Sequence, residues 1–228
     1  YNMGAFGLIA ENLSVIRQNV DEKKVKLVAV TKTQPSAVLR EAFACGLTVM
    51  GENRVQEALE KAAELKDLPI EWHLIGHLQT NKARQAVQLF SLIHSVDSER
   101  LARELNRCAA LIGKVQDVLL QVNIAGEETK SGVTPAEAGE LALLIGSLSH
   151  LRLCGIMTIA PFYEDAELTR PIFAKTRCLF EDLKDEMGPN EAFRWLSMGM
   201  THDYLVAMEE GASLIRIGTG LFGERPAY

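Results

Sequence analysis

A lysine directly behind an apolar, β-branched run is the first candidate for chemistry. Lys32 follows the segment 25–30 (VKLVAV) by two positions, so we expect it to emerge from a partly apolar wall. Desolvation disfavours the charged form of an amine and lowers its pKa, and a neutral amine is what imine formation with an aldehyde requires. The alternative is a solvated lysine at the end of a strand, which is the commoner kind. Both interpretations stay open on this segment alone.

Two glycine-containing segments near the end of the chain could bind phosphate. Gly199-Met200-Thr201 precedes a helical pattern, and the free N–H groups and positive dipole end of a helix start favour an anion. The Thr201 hydroxyl would either cap that helix or donate to a phosphate oxygen. Gly218-Thr219-Gly220 comes directly after an apolar run containing Arg216, and its glycines allow a close backbone approach to an anion.

Two further motifs fit their usual chemistries poorly. The segment 218–223 (GTGLFG) has dinucleotide-binding spacing, but five residues follow it, and that motif needs a helix, a strand and an acidic residue afterwards. His73 and His77 have the four-residue spacing of metal ligands on a helix. They flank a predicted strand end, however, and no glutamate stands between them as in HExxH. We therefore expect neither a dinucleotide nor a metal site.

Short apolar runs alternate with helical patterns along the whole chain. The predicted strands are 25–30, 48–50, 72–75, 92–95, 115–123, 151–157, 193–196 and 213–217. The predicted helices are 5–19, 35–45, 55–66, 80–89, 99–112, 135–147, 166–187 and a last one that Thr201 caps and that runs to 211. Glu52, Glu57 and Glu60 are interpreted as helix-start and surface charges.

This alternation predicts βαβ units with parallel strands. Runs such as LVAV and SLIRI are continuously apolar, which is typical of parallel strands buried on both faces. Eight units in 228 residues predict an α/β fold: a single (β/α)8 TIM-type barrel domain spanning 1–228, with an extra N-terminal helix. A doubly wound open sheet is the rival, because counting strands does not prove closure. In a barrel, the candidate residues would all lie at the carboxyl ends of the strands.

Composition argues against nucleic acid and membranes as partners. The formal net charge is −6, which gives no bulk electrostatic footprint for nucleic acid or an anionic membrane. Four cysteines are widely separated, which favours free thiols in a reducing compartment. No apolar run approaches the roughly 18 residues of a membrane span, and no signal peptide pattern opens the chain. We expect a cytoplasmic protein.

Seven ordered motifs carry a resemblance to a known family and together cover most of the chain. They are VAVTKTQP (28–35), GENRVQE (51–57), WHLIGHLQTNK (72–82), NIAGEETKSG (123–132), GIMTIAP (155–161), LSMGMTHDY (196–204) and EEGASLIRIGTGLFG (209–223). The chain resembles the pyridoxal-phosphate homeostasis protein family, whose barrel is similar to that of fold-type III enzymes dependent on pyridoxal 5′-phosphate (PLP), such as alanine racemase. The resemblance implies that PLP is the cofactor.

The resemblance also implies roles for individual residues. Lys32 would be the Schiff-base lysine, and Arg216 would face the pyridine nitrogen, which stays unprotonated because a guanidinium only donates. Thr201, Gly218 and Thr219 would hold the phosphate. Three further residues, Asn53, Ser197 and Met157, would line or pack near the ring.

Two positions depart from the usual family pattern. Thr201 stands where serine is common, and it keeps the hydroxyl that phosphate binding needs. Gln34 stands where some members have a second lysine, so transfer of the aldehyde to that neighbouring amine is unavailable here. Lys130 is then the best second amine near the barrel mouth.

The resemblance implies a PLP-binding protein without efficient catalysis. Fold-type III racemases take a tyrosine base from a second domain, which the five residues after Gly223 do not supply; of Tyr1, Tyr163, Tyr204 and Tyr228, only Tyr163 stays open as a base. We expect a monomeric carrier or regulator in intracellular PLP (vitamin B6) and amino-acid homeostasis. Its partners would be PLP and an unidentified recipient apo-enzyme or regulatory protein. The alternatives are an amino-acid racemase or decarboxylase lacking the second domain, and a barrel enzyme in which Lys32 forms a Schiff base with its substrate.

Overall fold

The computed structural model describes residues 5–127 and 129–224, and eight parallel strands form its core. The strands are β1 (Lys26–Val30), β2 (Val49–Glu52), β3 (Glu71–Leu74), β4 (Leu92–Val96), β5 (Gln116–Gln121), β6 (Leu151–Met157), β7 (Trp195–Met200) and β8 (Leu214–Ile217). Each strand pairs in parallel with the next, and β8 pairs with β1 from Lys26↔Leu214 to Ala29↔Ile217. The sheet is therefore a closed barrel.

Helices surround this barrel on the outside. They are α1 (Ala5–Asn19), α2 (Ser36–Ala44), α3 (Val55–Glu64), α4 (Ala83–Leu89), α5 (Glu99–Leu111), α6 (Pro135–Ser147), α7 (Arg170–Met187), α8 (Tyr204–Glu209) and α9 (Thr219–Phe222). The first helix precedes the barrel and contacts α2 and α9. In the described part of the chain, no helix is both long enough and apolar enough to cross a bilayer.

Side chains along each strand alternate between the barrel interior and the helical layer. Val28 and Leu214 belong to a small buried cluster, whereas Leu27 and Ala29 belong to the large cluster shared with the helices. The small cluster is therefore the barrel interior. Arg216 lies two residues beyond Leu214 on β8 and so faces the same interior.

The closed ring confirms the predicted (β/α)8 barrel over the open-sheet rival. The predicted N-terminal helix is also confirmed as α1. The element bounds differ by a few residues in most places, as at β5, where the ladder ends at Gln121 rather than at 123.

The region around Thr201 differs from the prediction. β7 continues through Gly199 to Met200, and α8 starts only at Tyr204, so the prediction of a helix capped by Thr201 was wrong. The Asp203 carboxylate accepts the Met200 N–H at 2.7 Å and closes a turn between strand and helix. That turn gives the Thr201 hydroxyl a different role, described below.

A substitution at Gly155 would test how closely β6 packs against β7. Its φ is +147°, and a Cβ there would lie 1.8 Å from the backbone oxygen of Trp195 on the neighbouring strand. We expect Gly155→Ala to lower the free energy of unfolding by about 2–4 kcal/mol, because both the backbone and the strand pair must shift. Urea denaturation would measure the loss.

Gly146 provides the matched control. It lies in α6, and a Cβ there would meet nothing within 4 Å. Gly146→Ala should leave stability unchanged or raise it by up to about 1 kcal/mol. Equal denaturation midpoints for the two variants would contradict the close contact between β6 and β7.

Candidate functional site

A cavity of about 270 Å³ opens at the carboxyl ends of the strands on the β1–β8 side of the barrel. It is lined by Val30, Lys32, Gln34, Phe162, Met200, Thr201, His202, Arg216, Gly218, Thr219, Phe222 and Gly223. Five of the residues predicted from sequence line this one cavity: Lys32, Thr201, Arg216, Gly218 and Thr219.

Lys32 lies in a turn that is held from both sides. The Lys61 ammonium donates to the Thr31 carbonyl oxygen at 2.7 Å, and the Glu57 carboxylate accepts the Thr33 N–H at 2.6 Å. Thr33 has a φ of 65°, a conformation that non-glycine residues rarely adopt without such support. The backbone on either side of Lys32 is therefore fixed by side chains of α3.

Together with Glu52 of β2, these two side chains form what we call the buried charge cluster, in which Glu52 and Lys61 are buried and Glu57 is partly exposed. Lys61 Nζ lies 2.7 Å from a carboxylate oxygen of each glutamate, and Thr31 Oγ1 donates to Glu52 Oε1 at 2.5 Å. Burial raises the pKa of Glu52 against the opposing effect of Lys61. For Glu57, hydrogen bonds from Lys61 and Thr33 outweigh burial and lower the pKa.

The interpretation of Glu52 as a helix-start or surface charge was therefore wrong, whereas Glu57 does lie in the first turn of α3 and is partly exposed. Glu52 is fully buried, and its partner Lys61 on α3 is 7% exposed. The sequence pattern could not show this, because a lysine on a helix and a glutamate just before one are commonest as surface groups.

Arg216 is a buried cation with neutral hydrogen-bond acceptors. Its guanidinium donates to Ser197 Oγ at 2.5 Å and to the Thr158 carbonyl oxygen at 2.9 Å, and the residue is 3% exposed. Burial lowers the pKa of Arg216 to about 10, with an opposing contribution from the Asp203 carboxylate. The guanidinium thus stays charged at neutral pH and borders the cavity.

Beneath Arg216, a row of polar groups runs through the barrel interior; we call Ser197, His94, His73 and Glu71 the inner relay. Ser197 Oγ lies 3.0 Å from His94 Nδ1, His94 Nε2 lies 3.0 Å from His73 Nδ1, and His73 Nε2 lies 2.8 Å from Glu71 Oε1. Lys26 donates to the same Glu71 oxygen at 2.7 Å. The relay joins the cavity floor to the amino-terminal end of the barrel.

The relay sets the charge states of its members. Burial lowers the pKa of His73 and lowers that of His94 well below its usual range, so both rings are neutral at pH 7. The hydrogen bond from His73, with help from Lys26 and against partial burial, lowers the pKa of Glu71 to about 2. His73 is occupied by this relay, and no group of three or more potential metal ligands is found in residues 5–127 and 129–224.

The Thr201 hydroxyl joins two loops at the cavity edge. Its oxygen accepts the backbone N–H groups of Gly218 at 3.3 Å and Gly220 at 3.1 Å. Because both contacts use oxygen lone pairs, the hydroxyl proton remains available for an acceptor in the cavity. The segments after β7 and β8 are thereby held together, although not through the helix start predicted for Thr201.

The three weaker predictions fall in different places. Asn53 lines a neighbouring cavity of about 290 Å³, together with His77 and Lys130. Met157 is fully buried in the barrel interior and is not among the cavity-lining residues. Ser197 lies behind Arg216 rather than on the cavity wall.

Phe162, Met200 and His202 form the rim of the cavity, and sequence reasoning missed Phe162 and His202. Phe162 is 78% exposed, and its ring centroid lies 5.1 Å from that of His202. The Glu164 carbonyl can only accept, so His202 Nε2 donates to it at 3.0 Å and ties the loops after β6 and β7 together. Their position directly after strands six and seven was the available signal.

Comparison with known proteins places these features in a family context. The family model described as "Alanine racemase, N-terminal domain" matches residues 7–226. The pyridoxal phosphate homeostasis protein of Aquifex aeolicus is 50% identical over 204 residues, covering 90% of this chain and 89% of that protein. The protein of the same name from Pseudomonas aeruginosa is 41% identical over 226 residues, covering 95% of this chain and 96% of that protein.

Solved structures agree with this pattern. PipY of Synechococcus elongatus, solved with PLP bound, superposes with a TM-score of 0.87 at 43% identity and covers 94% of this chain and 100% of that one. Alanine racemase of Clostridium difficile superposes with a TM-score of 0.80 at 17% identity, covering 97% of this chain and 58% of that one. The second similarity concerns the fold alone.

Lys61 provides a test of the buried charge cluster. We expect Lys61→Met to lower the free energy of unfolding by about 3–5 kcal/mol, because it leaves the Glu52 carboxylate buried without its cation. Urea denaturation at pH 7 would measure this, with Lys24→Met on the exposed surface as the control. A loss below about 1 kcal/mol would contradict the cluster.

The neutral histidines give stability a defined pH dependence. The pKa values of His73 and His94 are lower in the folded than in the unfolded state, so below about pH 6.5 the unfolded state binds more protons. Stability should be fully present above pH 6.5 and should fall toward pH 5, by at most about 1.4 kcal/mol per pH unit for each histidine. Urea denaturation across this range should show a shallower slope for His94→Gln than for the wild-type chain; equal slopes would refute the assignment.

Proposed function

Because this chain belongs to the family of pyridoxal phosphate homeostasis proteins, which share the N-terminal domain fold of alanine racemase, we propose that it binds PLP covalently on Lys32 and carries or regulates it without efficient catalysis. One observation carries the proposal. A single cavity combines an amine (Lys32), a donor-only cation (Arg216) and a hydroxyl with an available proton (Thr201). Those are three groups that PLP needs.

The residues present match the functional groups of PLP. Its aldehyde condenses with a primary amine, its pyridine nitrogen accepts a hydrogen bond, and its phosphate needs several donors. We assign the phosphate to Thr201, Gly218 and Thr219, where two loops converge. That PipY, which is 43% identical to this chain, was solved with PLP bound supports PLP as the ligand.

Lys32 is the proposed attachment point for PLP. Its turn is held by Lys61 and Glu57, so the amine projects from a fixed backbone beside the apolar side chain of Val30. A fixed nucleophile loses little conformational entropy when it binds its ligand. The cluster around Lys61 therefore supports tight attachment to this lysine.

Arg216 is the proposed partner of the pyridine nitrogen. A guanidinium has donors only and, with a pKa of about 10, remains charged, so the nitrogen opposite it would accept rather than carry a proton. A ring held in that state withdraws electrons less than a protonated ring does. This feature favours holding PLP over using it for carbanion chemistry.

The other side chains that line the cavity also favour binding of PLP over catalysis. Among the described residues, no tyrosine lines the cavity: Tyr163 is not part of its wall, and Tyr204 packs against the core. Tyr1 and Tyr228 lie outside the described residues. His202 is the one candidate base on the rim, and it would carry the racemase alternative.

For the biological role, we propose that the chain hands PLP to recipient apo-enzymes or acts through a regulatory protein partner. Its four cysteines are free, which fits a reducing cytoplasm. We propose that residues 1–228 form a single PLP-binding domain that works as a monomer. The termini of this unit and Glu128 lie outside the described residues. Asn53, Ser197 and Met157 are proposed to support the ring from a greater distance than Arg216.

Labelling with borohydride tests the attachment point. Purified protein with PLP should show visible absorbance, and reduction should fix a pyridoxyl group to the peptide that contains Lys32. Lys32→Ala should abolish the label, while Lys24→Ala, at an exposed lysine, should keep it. Labelling that is indifferent to Lys32 would overturn the proposal.

A second measurement separates carrier from enzyme. The loaded protein should racemise or decarboxylate amino acids no faster than free PLP does, and His202→Ala should not change that rate. Turnover well above free PLP that His202→Ala removes would instead establish the racemase alternative. Trapping of a substrate without PLP would favour the substrate-imine barrel.

A further inference from the structure

The donor and acceptor pattern of the inner relay is fixed from both ends. The Glu71 carboxylate can only accept, so His73 Nε2 carries the proton, and the neutral ring leaves His73 Nδ1 as an acceptor. His94 Nε2 must then donate to His73 Nδ1, which leaves His94 Nδ1 to accept from a donor.

The hydrogen bonds at the Arg216 end of the row lead to the same assignment. Arg216 can only donate, so Ser197 Oγ accepts from it and directs its own proton to His94 Nδ1. Every hydrogen bond in the row therefore points the same way, from Arg216 toward Glu71. The assignment has no conflicting contact and needs no charged histidine.

The two ends of the relay lie at opposite ends of the barrel. Arg216 borders the cavity at the carboxyl ends of the strands, whereas Glu71 and Lys26 are the first residues of β3 and β1. Lys26 lines a groove at that far end together with Glu22. The Glu71 side chain is 39% exposed, so the row ends near solvent.

We infer that the inner relay is a positioning device for the cavity: it orients the Arg216 guanidinium toward a ligand through a row of hydrogen bonds that ends on the Glu71 carboxylate at the opposite end of the barrel. A buried cation must be compensated, and aligned hydrogen-bond dipoles strengthen one another in a medium of low dielectric constant. Both direct acceptors of Arg216 are neutral and the Asp203 carboxylate acts on it only at longer range, so the guanidinium remains available as a charged donor to an acceptor atom in the cavity.

The inference rests on the proposed function for the identity of the ligand, but not for the relay itself. Its residues are positioning residues, since only Arg216 borders the cavity. The most specific consequence is action at a distance: a change at Glu71 should alter ligand binding at the other end of the barrel.

Nitrogen NMR of protein labelled at histidine and arginine, without PLP, tests the relay directly. The ring signals of His73 and His94 are assigned by substituting each histidine in turn. At pH 7.5, both rings should show the signals of neutral Nε2–H tautomers. The chemical shifts of the hydrogen-bonded Nη protons of Arg216 should change in the Glu71→Gln variant. They should match those of the wild-type chain in the Glu22→Gln variant. An Nδ1–H tautomer or a protonated ring at either position would overturn the inference, as would unmoved Arg216 signals in Glu71→Gln.

PLP dissociation constants test the consequence for binding. Glu71→Gln should weaken binding about threefold and shift the absorbance of bound PLP, because it keeps the shape and removes the charge. Glu22→Gln, at the same end of the barrel but outside the relay, should bind like the wild-type chain. Equal binding by these two variants would overturn the positioning role.

Substitutions at His94 separate the hydrogen bonds from packing. His94→Leu should weaken binding about tenfold, since Ser197 loses its acceptor. His94→Gln should restore binding to within about twofold, because an amide can accept from Ser197 and donate to His73. Equal losses of PLP affinity in the two His94 variants would overturn the relay. If His94→Leu does not fold, the PLP affinity of Glu71→Gln decides the question. If the wild-type chain binds no PLP, the proposed function fails, and the NMR result alone decides the relay.

Discussion

The structure depends on burying one arginine inside a parallel barrel while keeping it charged. Arg216 is 3% exposed and contacts neutral oxygens, so the free energy of its desolvation must be recovered by hydrogen bonds and by the more distant Asp203 carboxylate. This requirement accounts for the polar row that lies beside the apolar cluster of the barrel interior. It also leaves one strong, fixed donor at the mouth of the barrel.

A second charge cluster fixes the part of the cavity wall that carries Lys32. Lys61 and Glu57 hold the turn that carries Lys32, so the amine and the guanidinium both project from rigid supports. The rim differs, since Phe162 is 78% exposed and contacts the loop after β7 through His202. A rigid floor beneath an open rim suits a site that takes up and releases its ligand, and this contrast supports the proposed carrier role.

The sequence predicts the parts of this arrangement that depend on local pattern. Strand and helix periodicity predicts the barrel, and Lys32 and Arg216 are recognisable because each adjoins or lies in an apolar strand. The inner relay was not predictable, because the neighbour of His73 is set by the register between β3 and β4 and by closure of the barrel. Lys61 looks like any lysine on a helix, and Thr201 looks like a helix cap until the turn at Asp203 is known.

A crystal structure of the chain with PLP tests the central claim most directly. The account predicts continuous density from Lys32 Nζ to the ligand, with the pyridine nitrogen within hydrogen-bond distance of Arg216 and the phosphate beside Thr201 and Thr219. PLP bound in the neighbouring cavity of Asn53 and Lys130, or a ring with its nitrogen turned toward solvent, would contradict it.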